Sequence, residues 1–588
     1  MKRHWNLDVI YPSKADFEKD LKKAADGLKE LKTLLQDSCN ADLAKVVSLM
    51  NDMNDTLETL YAYTSAKVTV NTSDKESVNA LNRVEELGMD SAVVNTLFSG
   101  FVASNPEKVK AFVSENPDYA YIMKEICEDA SHMMSKELEE LAADLMRSGS
   151  DAFSRLQESI SSSACAELDL SDLGPELAEI GGTKTVIELR ALSTHSNREV
   201  RRRAYEAELK VWKEHETAFA FALNSIKGTS LSLEKRRHWD SPIQRSCSTA
   251  RITEKTLDAL ISSLEKYLPM FRKYLKAKAK ILGVEKLAWF DIVAPVGKSA
   301  KTYTYDEALA LVSKFYGAFN PDMGTFAKNA FENNWIDPFP AKGKTGGAYD
   351  TYIPKIKESR VFANFDGTYD GVSTFAHELG HAWHDHIVSE KPALLRSYPM
   401  TLAETASIFS EFIVFKGAVE EAEGDDKLAI LEQFVQGACQ VCVDILCRFY
   451  FEREIFKRRA EGELMAQDFC EIMLDCQRKT YGSGIDEKLM HPYMWAVKGH
   501  YYSTGFSFYN YPYAFGQLFG LGLYSRSLKD NDGTPFYQKY NKLLSLTGQL
   551  PAKDVAATAG IDLESPSFWE EGLEIIAAYA KELEGYAS

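Results

Sequence analysis

The chain of 588 residues lacks any long uninterrupted apolar run and any apolar stretch at its start. No window approaches the roughly 18 consecutive apolar residues that a membrane-spanning helix needs. The opening MKRHWNLDVIYPS has no apolar segment of the kind that secretory signals carry. These absences predict a cytoplasmic protein without a membrane partner.

Cysteines are also few, and positively charged residues are fewer than negatively charged ones. The nine cysteines are scattered over the chain, which is typical of reduced thiols and not of a disulfide framework. Lys and Arg number 68 against 86 Asp and Glu, for a net charge of −18. An acidic balance argues against nucleic acid and against anionic membrane surfaces as partners.

The pattern of apolar residues predicts a mainly α fold. Leucines recur at helical spacing in the segment 15–36, and long amphipathic patterns continue to about residue 200. Gly and Pro interrupt them after Ala166, where a small hairpin or a boundary is expected. Irregular sequence over 286–372 favours a small β-sheet. We predict an N-terminal helical region at 1–200 and a catalytic region at 201–588.

Histidine is rare, at 11 of 588 residues, yet two of them stand four apart in Ala376-His377-Glu378-Leu379-Gly380-His381. The segment Val372 to Val388 has the apolar stripe of a helix, on which His377 and His381 lie one turn apart and can reach one metal ion. Glu378 lies beside such a metal, in the position of a general base toward water. The pattern predicts zinc hydrolysis.

A hydrolytic zinc site needs a third protein ligand and one open position. The pattern HExxHxxGxxH would supply a third histidine, but His384 stands where that pattern has Gly, and Ile387 where it has His. That class is excluded. His384 and His386 are interpreted as supporting or solvent-facing residues.

The third ligand is expected to be a glutamate from the following helix, predicted at Thr401 to Glu421. Glu404 and Glu411 are two turns apart there and share a face. Small residues flank Glu404 and would let this helix approach the zinc helix closely, so we favour Glu404. Glu411 is the alternative ligand, or a supporting partner. One zinc ion per chain is expected.

Aromatic residues are concentrated over Gly499 to Phe519 together with a histidine. Hydroxyl and imidazole groups are suitable donors to the oxyanion of peptide hydrolysis. The candidates for these donors are His500, Tyr509 and Tyr513, and Tyr511 ranks after them. The alternative is that these tyrosines belong to the core.

Several blocks together resemble the M3 family of zinc metallopeptidases, and within it the oligoendopeptidase F branch. They are Gly343-Lys344 with Gly346-Gly347-Ala348-Tyr349, Asn364-Phe365-Asp366-Gly367-Thr368 with Asp370-Gly371-Val372, AHELGHAWH at 376–384, TLAETAS at 401–407, and His500 followed by FSFYNYPYAFG at 506–516. The resemblance implies a large helical fold that encloses a deep substrate channel, and a cytosolic endopeptidase acting on short unstructured peptides.

The resemblance also implies roles for individual segments. A histidine and a tyrosine of the family act on the substrate carbonyl, and His500 matches that histidine, with Tyr509 or Tyr513 for the tyrosine. The segment Arg360 to Phe365 reads as a strand; the family pairs an edge strand there with the peptide backbone. The alternative is an internal strand of a small sheet.

The predicted function is therefore zinc-dependent hydrolysis of internal peptide bonds in oligopeptides. A zinc carboxypeptidase is the alternative, since it shares the same ligand pattern but needs an Arg or Lys to hold the terminal carboxylate. A third hypothesis is a peptide-binding protein that has lost catalysis, against which the intact Glu378 argues.

Overall fold

The computed structural model describes residues 4–36, 41–297, 301–530 and 533–587. Helices dominate these residues, and the strands among them form two small sheets, which confirms the predicted mainly α fold. The helices, in chain order, are α1 (Lys14–Gln36), α2 (Leu43–Val70), α3 (Lys75–Ser104), α4 (Pro106–Glu115), α5 (Ala120–Ser131), α6 (Lys136–Ser148), α7 (Ser150–Ser163), α8 (Pro175–Ala178), α9 (Val186–Ala191), α10 (Arg198–Arg236), α11 (Pro242–Thr249), α12 (Glu254–Ile281), α13 (Tyr305–Phe319), α14 (Pro321–Glu332), α15 (Tyr369–Val388), α16 (Met400–Glu421), α17 (Gly424–Cys439), α18 (Ile445–Arg459), α19 (Ala466–Thr480), α20 (Met494–Val497), α21 (Tyr511–Lys529), α22 (Phe536–Leu544), α23 (Ala552–Ala557) and α24 (Pro566–Glu584). The strands are β1 (Cys165–Leu168), β2 (Gly182–Thr185), β3 (Ile336–Asp337), β4 (Tyr349–Ile353) and β5 (Glu358–Phe362).

The chain forms two compact units, each assembled from three separate stretches. The first unit comprises Met1–His132, Lys301–Glu421 and Leu523–Asp562, and the second comprises Met133–Ala300, Ala422–Gly522 and Leu563–Ser588. The predicted division into residues 1–200 and 201–588 concerns regions of the sequence, and it stays a prediction.

Helices α1 to α3 show how apolar spacing builds the first unit. The leucines of α1 that recur at helical spacing are all buried: Leu21, Leu28, Leu31 and Leu35. Helices α2 and α3 begin after Asp42 and Asp74, whose carboxylates accept hydrogen bonds from N–H groups of the first turn. The apolar faces of all three helices meet in one buried cluster.

A three-stranded sheet in the first unit precedes α15 along the chain. Strand β5 lies in its middle, parallel to β3 and antiparallel to β4. Strand β5 covers the first three residues of the strand predicted at 360–365 and ends at Phe362. The expectation that it is an edge strand is wrong, and the internal alternative is confirmed. The reason is that β3, a two-residue strand, pairs with its second side. Among the described residues, no strand pairs with the far edge of β4.

The second unit contains the other sheet, the antiparallel pair of β1 and β2. The two strands enclose the Gly- and Pro-rich stretch after Ala166, so the predicted hairpin is confirmed. The pair is followed by the 39-residue helix α10, which begins after Asn197 as a side-chain cap.

One helical stretch of the second unit, Gly424–Arg459, is long and apolar enough to cross a membrane by length and composition alone. It consists of α17, a π turn at Gln440–Asp444 and α18. Since 67% of its apolar window is buried inside the protein, it has the burial of a core helix. Cys439 and Cys442 are buried in it, and the eight cysteines that the structure describes are free.

Candidate metal centre and neighbouring residues

Helix α15 carries the paired histidines. It begins after Thr368, whose hydroxyl accepts a hydrogen bond from the N–H of Gly371, and it matches the helix predicted at 372–388. Its apolar stripe is buried: Val372, Phe375, Ala376, Leu379, Ala382 and Trp383. The side chains of His377 and His381 border this stripe and are 28% and 21% exposed. The stripe anchors the helix, while the two imidazoles stay accessible.

Helices α15 and α16 approach each other at Gly380. A Cβ atom at this position would lie 2.7 Å from Cα of Ser407 and 2.8 Å from the carbonyl oxygen of Ala406. Only glycine fits between the two backbones. This approach places Glu404, one turn before Ser407, against the histidines of α15.

Replacing Gly380 with alanine is expected to destabilise the protein by roughly 1–3 kcal/mol, because the added methyl group must push the two backbones apart. The matched control is Gly437→Ala in α17, where a Cβ atom would meet nothing within 4 Å and alanine's higher helix propensity is expected to stabilise by up to about 1 kcal/mol. Urea unfolding of both variants measures the difference. Equal effects of the two substitutions would contradict the close approach.

The two histidines and Glu404 converge on one point. Nε2 of His377 lies 3.3 Å from Oε2 of Glu404, and Nε2 of His381 lies 3.5 Å from the same oxygen. The three donor atoms all lie within 4.8 Å of one another. Two ligands placed about 2.0–2.1 Å from a tetrahedral zinc ion are about 3.3–3.4 Å apart. The separations and the set of two imidazoles and one carboxylate therefore fit zinc.

The glutamates of this cluster stabilise positive charge at the imidazoles, either as a proton or as a bound metal cation. Burial alone would lower the pKa of His377, but its hydrogen bonds to Glu404 and Glu411 outweigh burial and raise that pKa well above its usual range. Burial alone would raise the pKa of Glu404, but His377 and His381 together lower it far below its usual value. The carboxylate thus stays charged, which is the form that binds metal.

Glu411 faces the other nitrogen of His377. Its Oε2 lies 3.2 Å from Nδ1 of His377, and its Oε1 accepts a hydrogen bond of 2.9 Å from Oγ of Ser373. Carboxylates in this position fix the tautomer and the ring orientation of a metal-binding histidine. Of the two glutamates that the sequence offered as ligands, Glu404 is close to both imidazoles and Glu411 to one.

Glu378 is almost fully buried beside the histidines. Burial raises the pKa of its carboxyl group, and the neighbouring His377 and His381 offset part of that rise. A backbone hydrogen bond from Asp350 in β4 also reaches it. A buried carboxyl with a raised pKa can accept a proton and release it again.

Sequence reasoning missed the pair formed by Asp350 and Asp385. Burial and the neighbouring carboxyl of Asp385 raise the pKa of Asp350 well above its usual range. Tyr398 donates a hydrogen bond of 3.1 Å to Asp385, and Ser359 donates one of 3.3 Å to Asp350. Asp385 stands one turn after His381, a spacing that could have drawn attention to it, whereas nothing in the sequence pointed to Asp350.

His384 is not solvent-facing, so that part of its interpretation is wrong. Its Nε2 lies 2.8 Å from Oγ1 of Thr547, and its ring stacks on Tyr398 at 4.1 Å. Burial, with a smaller contribution from His381, lowers the pKa of His384 to about 3. His386 is exposed.

The second unit brings His500, Tyr509 and Tyr513 together. The His500 ring centroid lies 5.3 Å from that of Tyr509 and 6.3 Å from that of Tyr513, and the two tyrosine rings are 5.9 Å apart. Burial, followed by the positive charges of Arg448 and Lys498, lowers the pKa of His500. Its imidazole is therefore neutral near pH 7.

The backbone around Tyr509 is strained and firmly anchored. Phe508 has a φ of +56°, a conformation that costs a bulky residue about 1–3 kcal/mol. Its ring is buried against Phe449 at 5.5 Å. On the other side, Nδ2 of Asn510 donates a 3.0 Å hydrogen bond to Glu452. Strain held in place by such anchors is typical of functional segments.

Tyr511 belongs to the core. It is fully buried, and its hydroxyl lies 3.0 Å from Oγ of Ser246. For this tyrosine the core alternative holds.

Protein-family models match two parts of the chain. The model described as peptidase family M3 covers residues 191–575, and one described as oligopeptidase F covers residues 101–163. The chain belongs to peptidase family M3. The first match includes every residue of the metal cluster as well as the His500 segment.

Relatives of this M3 protein match it over nearly its whole length. Group B oligopeptidase PepB of Streptococcus agalactiae is 25% identical over 99% of this chain and 97% of its own. Oligopeptidase PepF of Bacillus subtilis is 23% identical over 99% of this chain and 86% of its own. The M3 protein is a metallo-oligopeptidase, and the predicted enzyme class is confirmed.

Solved structures share the fold. A protein from Chlamydophila abortus superposes with a TM-score of 0.85 at 20% identity, covering 99% of this chain and 98% of that one. Oligoendopeptidase-F from Enterococcus faecium superposes with a TM-score of 0.68 at 18% identity, covering 97% and 99%.

Proposed function

We propose that this M3 peptidase binds one zinc ion through His377, His381 and Glu404 and cleaves short unstructured peptides at internal bonds. The observation that carries the proposal is the convergence of two imidazole nitrogens on one carboxylate oxygen, at 3.3 and 3.5 Å. These are the separations of ligands that share a tetrahedral metal ion. The free thiols support a cytoplasmic location.

Zinc held at this site would act as a Lewis acid toward the scissile carbonyl and the attacking water. Glu378 follows His377 directly on α15, so its carboxylate lies beside the ligands. In our proposal it takes a proton from the water and later delivers it to the leaving amine. Its burial, which raises its pKa, suits both transfers.

Three further residues position the ligands. Ser373 holds Glu411, which orients the ring of His377 through Nδ1. On α16, Ser407 donates a 2.7 Å hydrogen bond to Oε2 of Glu404, the oxygen that both imidazoles face. These bonds limit the rotation of both side chains before substrate binds.

We assign His500 and one tyrosine, either Tyr509 or Tyr513, the role of hydrogen-bond donors to the oxyanion of the substrate. Donors aimed at developing negative charge lower the barrier most when they are held in place beforehand. The neutral imidazole of His500 and the anchored backbone beside Tyr509 support this role.

Strand β4 is our proposed partner of the peptide backbone, in place of the strand predicted at 360–365. Its far edge pairs with no strand among the described residues, and main-chain pairing binds peptides with little selection of side chains. The deep channel implied by the family resemblance stays a prediction. It would restrict substrates to short unfolded peptides.

Internally quenched peptides blocked at both ends test this function against its alternatives. An endopeptidase cleaves them, and mass spectrometry finds both fragments. A zinc carboxypeptidase leaves them intact and shortens only peptides with a free carboxyl terminus. A peptide-binding protein without catalysis cleaves neither kind in a zinc-replete sample.

A further inference from the structure

The second unit contains a cavity of about 140 Å³ that the proposed function does not use. Its charged lining residues are Arg190, Arg201, Glu208, Asp444 and Lys498. On the same measure of volume, a cavity needs about 10–15 Å³ to hold one water molecule, so a small ion with part of its hydration shell fits.

The carboxylates in and beside this cavity are already paired with arginines. The pairs are Arg190 with Glu208 at 2.6 Å, Arg201 with Asp291 at 2.9 Å, and Arg448 with Asp444. Asp291 accepts a second arginine as well, Arg198 at 2.7 Å. Three carboxylates thus face four arginines and Lys498, five cations in all, and the cluster carries an excess of positive charge.

Lys498 forms no salt bridge among the described residues, although the charges of Asp444 and Glu208 act on it across the cavity. In the part of the chain that the structure describes, no carboxylate oxygen lies within 4.0 Å of its ammonium group. Burial, followed by repulsion from Arg448, lowers the pKa of Lys498 to about 8. Lys498 is partly buried, and a charge that is partly removed from water is costly unless it is paired.

Two buried donors next to this cluster also lack an acceptor among the described residues. They are Nε of Arg448, the arginine that pairs with Asp444, and the hydroxyl of Tyr501. Tyr501 lies near enough to Arg448 for the guanidinium to oppose the rise that burial causes in its pKa. Neither residue lines the cavity itself, but Arg448 pairs with Asp444, which does. Buried donors without an acceptor beside excess positive charge favour a bound negative group.

We propose that this cavity binds one small anion, a halide ion or a carboxylate group, with Lys498 as its main counterion. The consequence reaches the proposed oxyanion donors through the chain itself. Lys498 directly precedes the 3₁₀ turn Gly499–Tyr501, which contains His500. An anion bound to Lys498 fixes the start of this turn and helps to position His500.

The first test titrates sodium chloride against the full-length protein at constant ionic strength, with sodium isethionate, whose anion is a sulfonate without a carboxylate, as the replacement salt. The unfolding temperature of the wild type is expected to rise and saturate. In Lys498→Met the apparent affinity for chloride falls about tenfold or more, since hydrogen bonds to charged groups contribute at least about the 1.4 kcal/mol that corresponds to a factor of ten. The matched control is Lys488→Met, at an exposed lysine ten residues earlier, which keeps the wild-type response.

A second arm distinguishes the source of the anion. Kinetics of cleavage are measured for the wild type and for Lys498→Met with pairs of peptides that differ only in a free or an amidated carboxyl terminus. If the substitution raises KM for the free acid alone, the peptide carboxylate is the occupant. If chloride stimulates both peptides equally in the wild type and neither in Lys498→Met, the occupant is a free ion. The proposal is overturned if neither response depends on Lys498.

A third measurement uses only the wild-type protein, so it tests the proposal even if Lys498→Met fails to fold. Wild-type crystals soaked in bromide are expected to show anomalous density in this cavity beside Lys498. Bromide sites confined to other parts of the surface would overturn the proposal.

Discussion

Replacing Glu378 with glutamine is expected to lower kcat/KM for peptide cleavage by about 10²–10⁴-fold, the usual contribution of a general base. Glutamine has the size and shape of the glutamate but cannot take a proton from water. Because Glu378 is not among the three converging donors of the metal cluster, the variant should bind zinc as the wild type does. Initial rates on a quenched peptide, together with the zinc content of the purified protein, measure both quantities.

The control for this variant is Glu86→Gln, at an exposed glutamate of α3 in the same compact unit. It should keep wild-type activity and zinc content. Retained cleavage in Glu378→Gln would remove Glu378 as the base. Loss of zinc together with activity would instead place this carboxylate among the metal ligands.

The metal helix could be predicted from the sequence because the information is local. The stripe of apolar residues over 372–388 and the spacing of His377 and His381 depend only on the geometry of one helix. Helix α16 was predicted for the same reason, within one residue of its observed bounds at Met400–Glu421. Such helices form wherever their apolar face finds a partner.

The sheet could be predicted only in part because strand pairing is not local. Residues 360–362 have the composition of a strand whether they lie at an edge or in the middle of a sheet. Their position depends on β3, only two residues long and more than twenty residues earlier, which no periodicity could reveal. The contact of Asp350 with Glu378 depends on the same pairing, so it too was missed.

A local sequence pattern cannot decide whether Glu404 or Glu411 is the third metal ligand. Both lie on one face of α16, and their spacing cannot say which is nearer the histidines. The ligand is determined by how α16 packs against α15. This packing depends on Gly380, where the two helix backbones approach each other closely. The small residues around Glu404 pointed to this approach, but the role of Ser373 in holding Glu411 could be seen only in three dimensions.

Replacing Glu404 with alanine is expected to remove zinc from the purified protein and to abolish cleavage, because two imidazoles alone do not complete a hydrolytic zinc site. Glu411→Ala is the matched comparison on the same helix face. It removes the carboxylate that orients His377, and loss of such a partner weakens metal binding by about 10–100-fold. Zinc titration against a competing chelator therefore ranks the wild type first, Glu411→Ala second and Glu404→Ala last.

Thermal unfolding gives an independent measure of the same order. A chelator should lower the unfolding temperature of the wild type, since a ligand that binds only the folded state stabilises it. The same chelator should leave Glu404→Ala unchanged, because that variant has no bound metal to lose. If instead Glu411→Ala is the variant that loses its zinc while Glu404→Ala keeps it, the third ligand is Glu411, and the convergence of His377 and His381 on Glu404 reflects an ion pair of the metal-free protein.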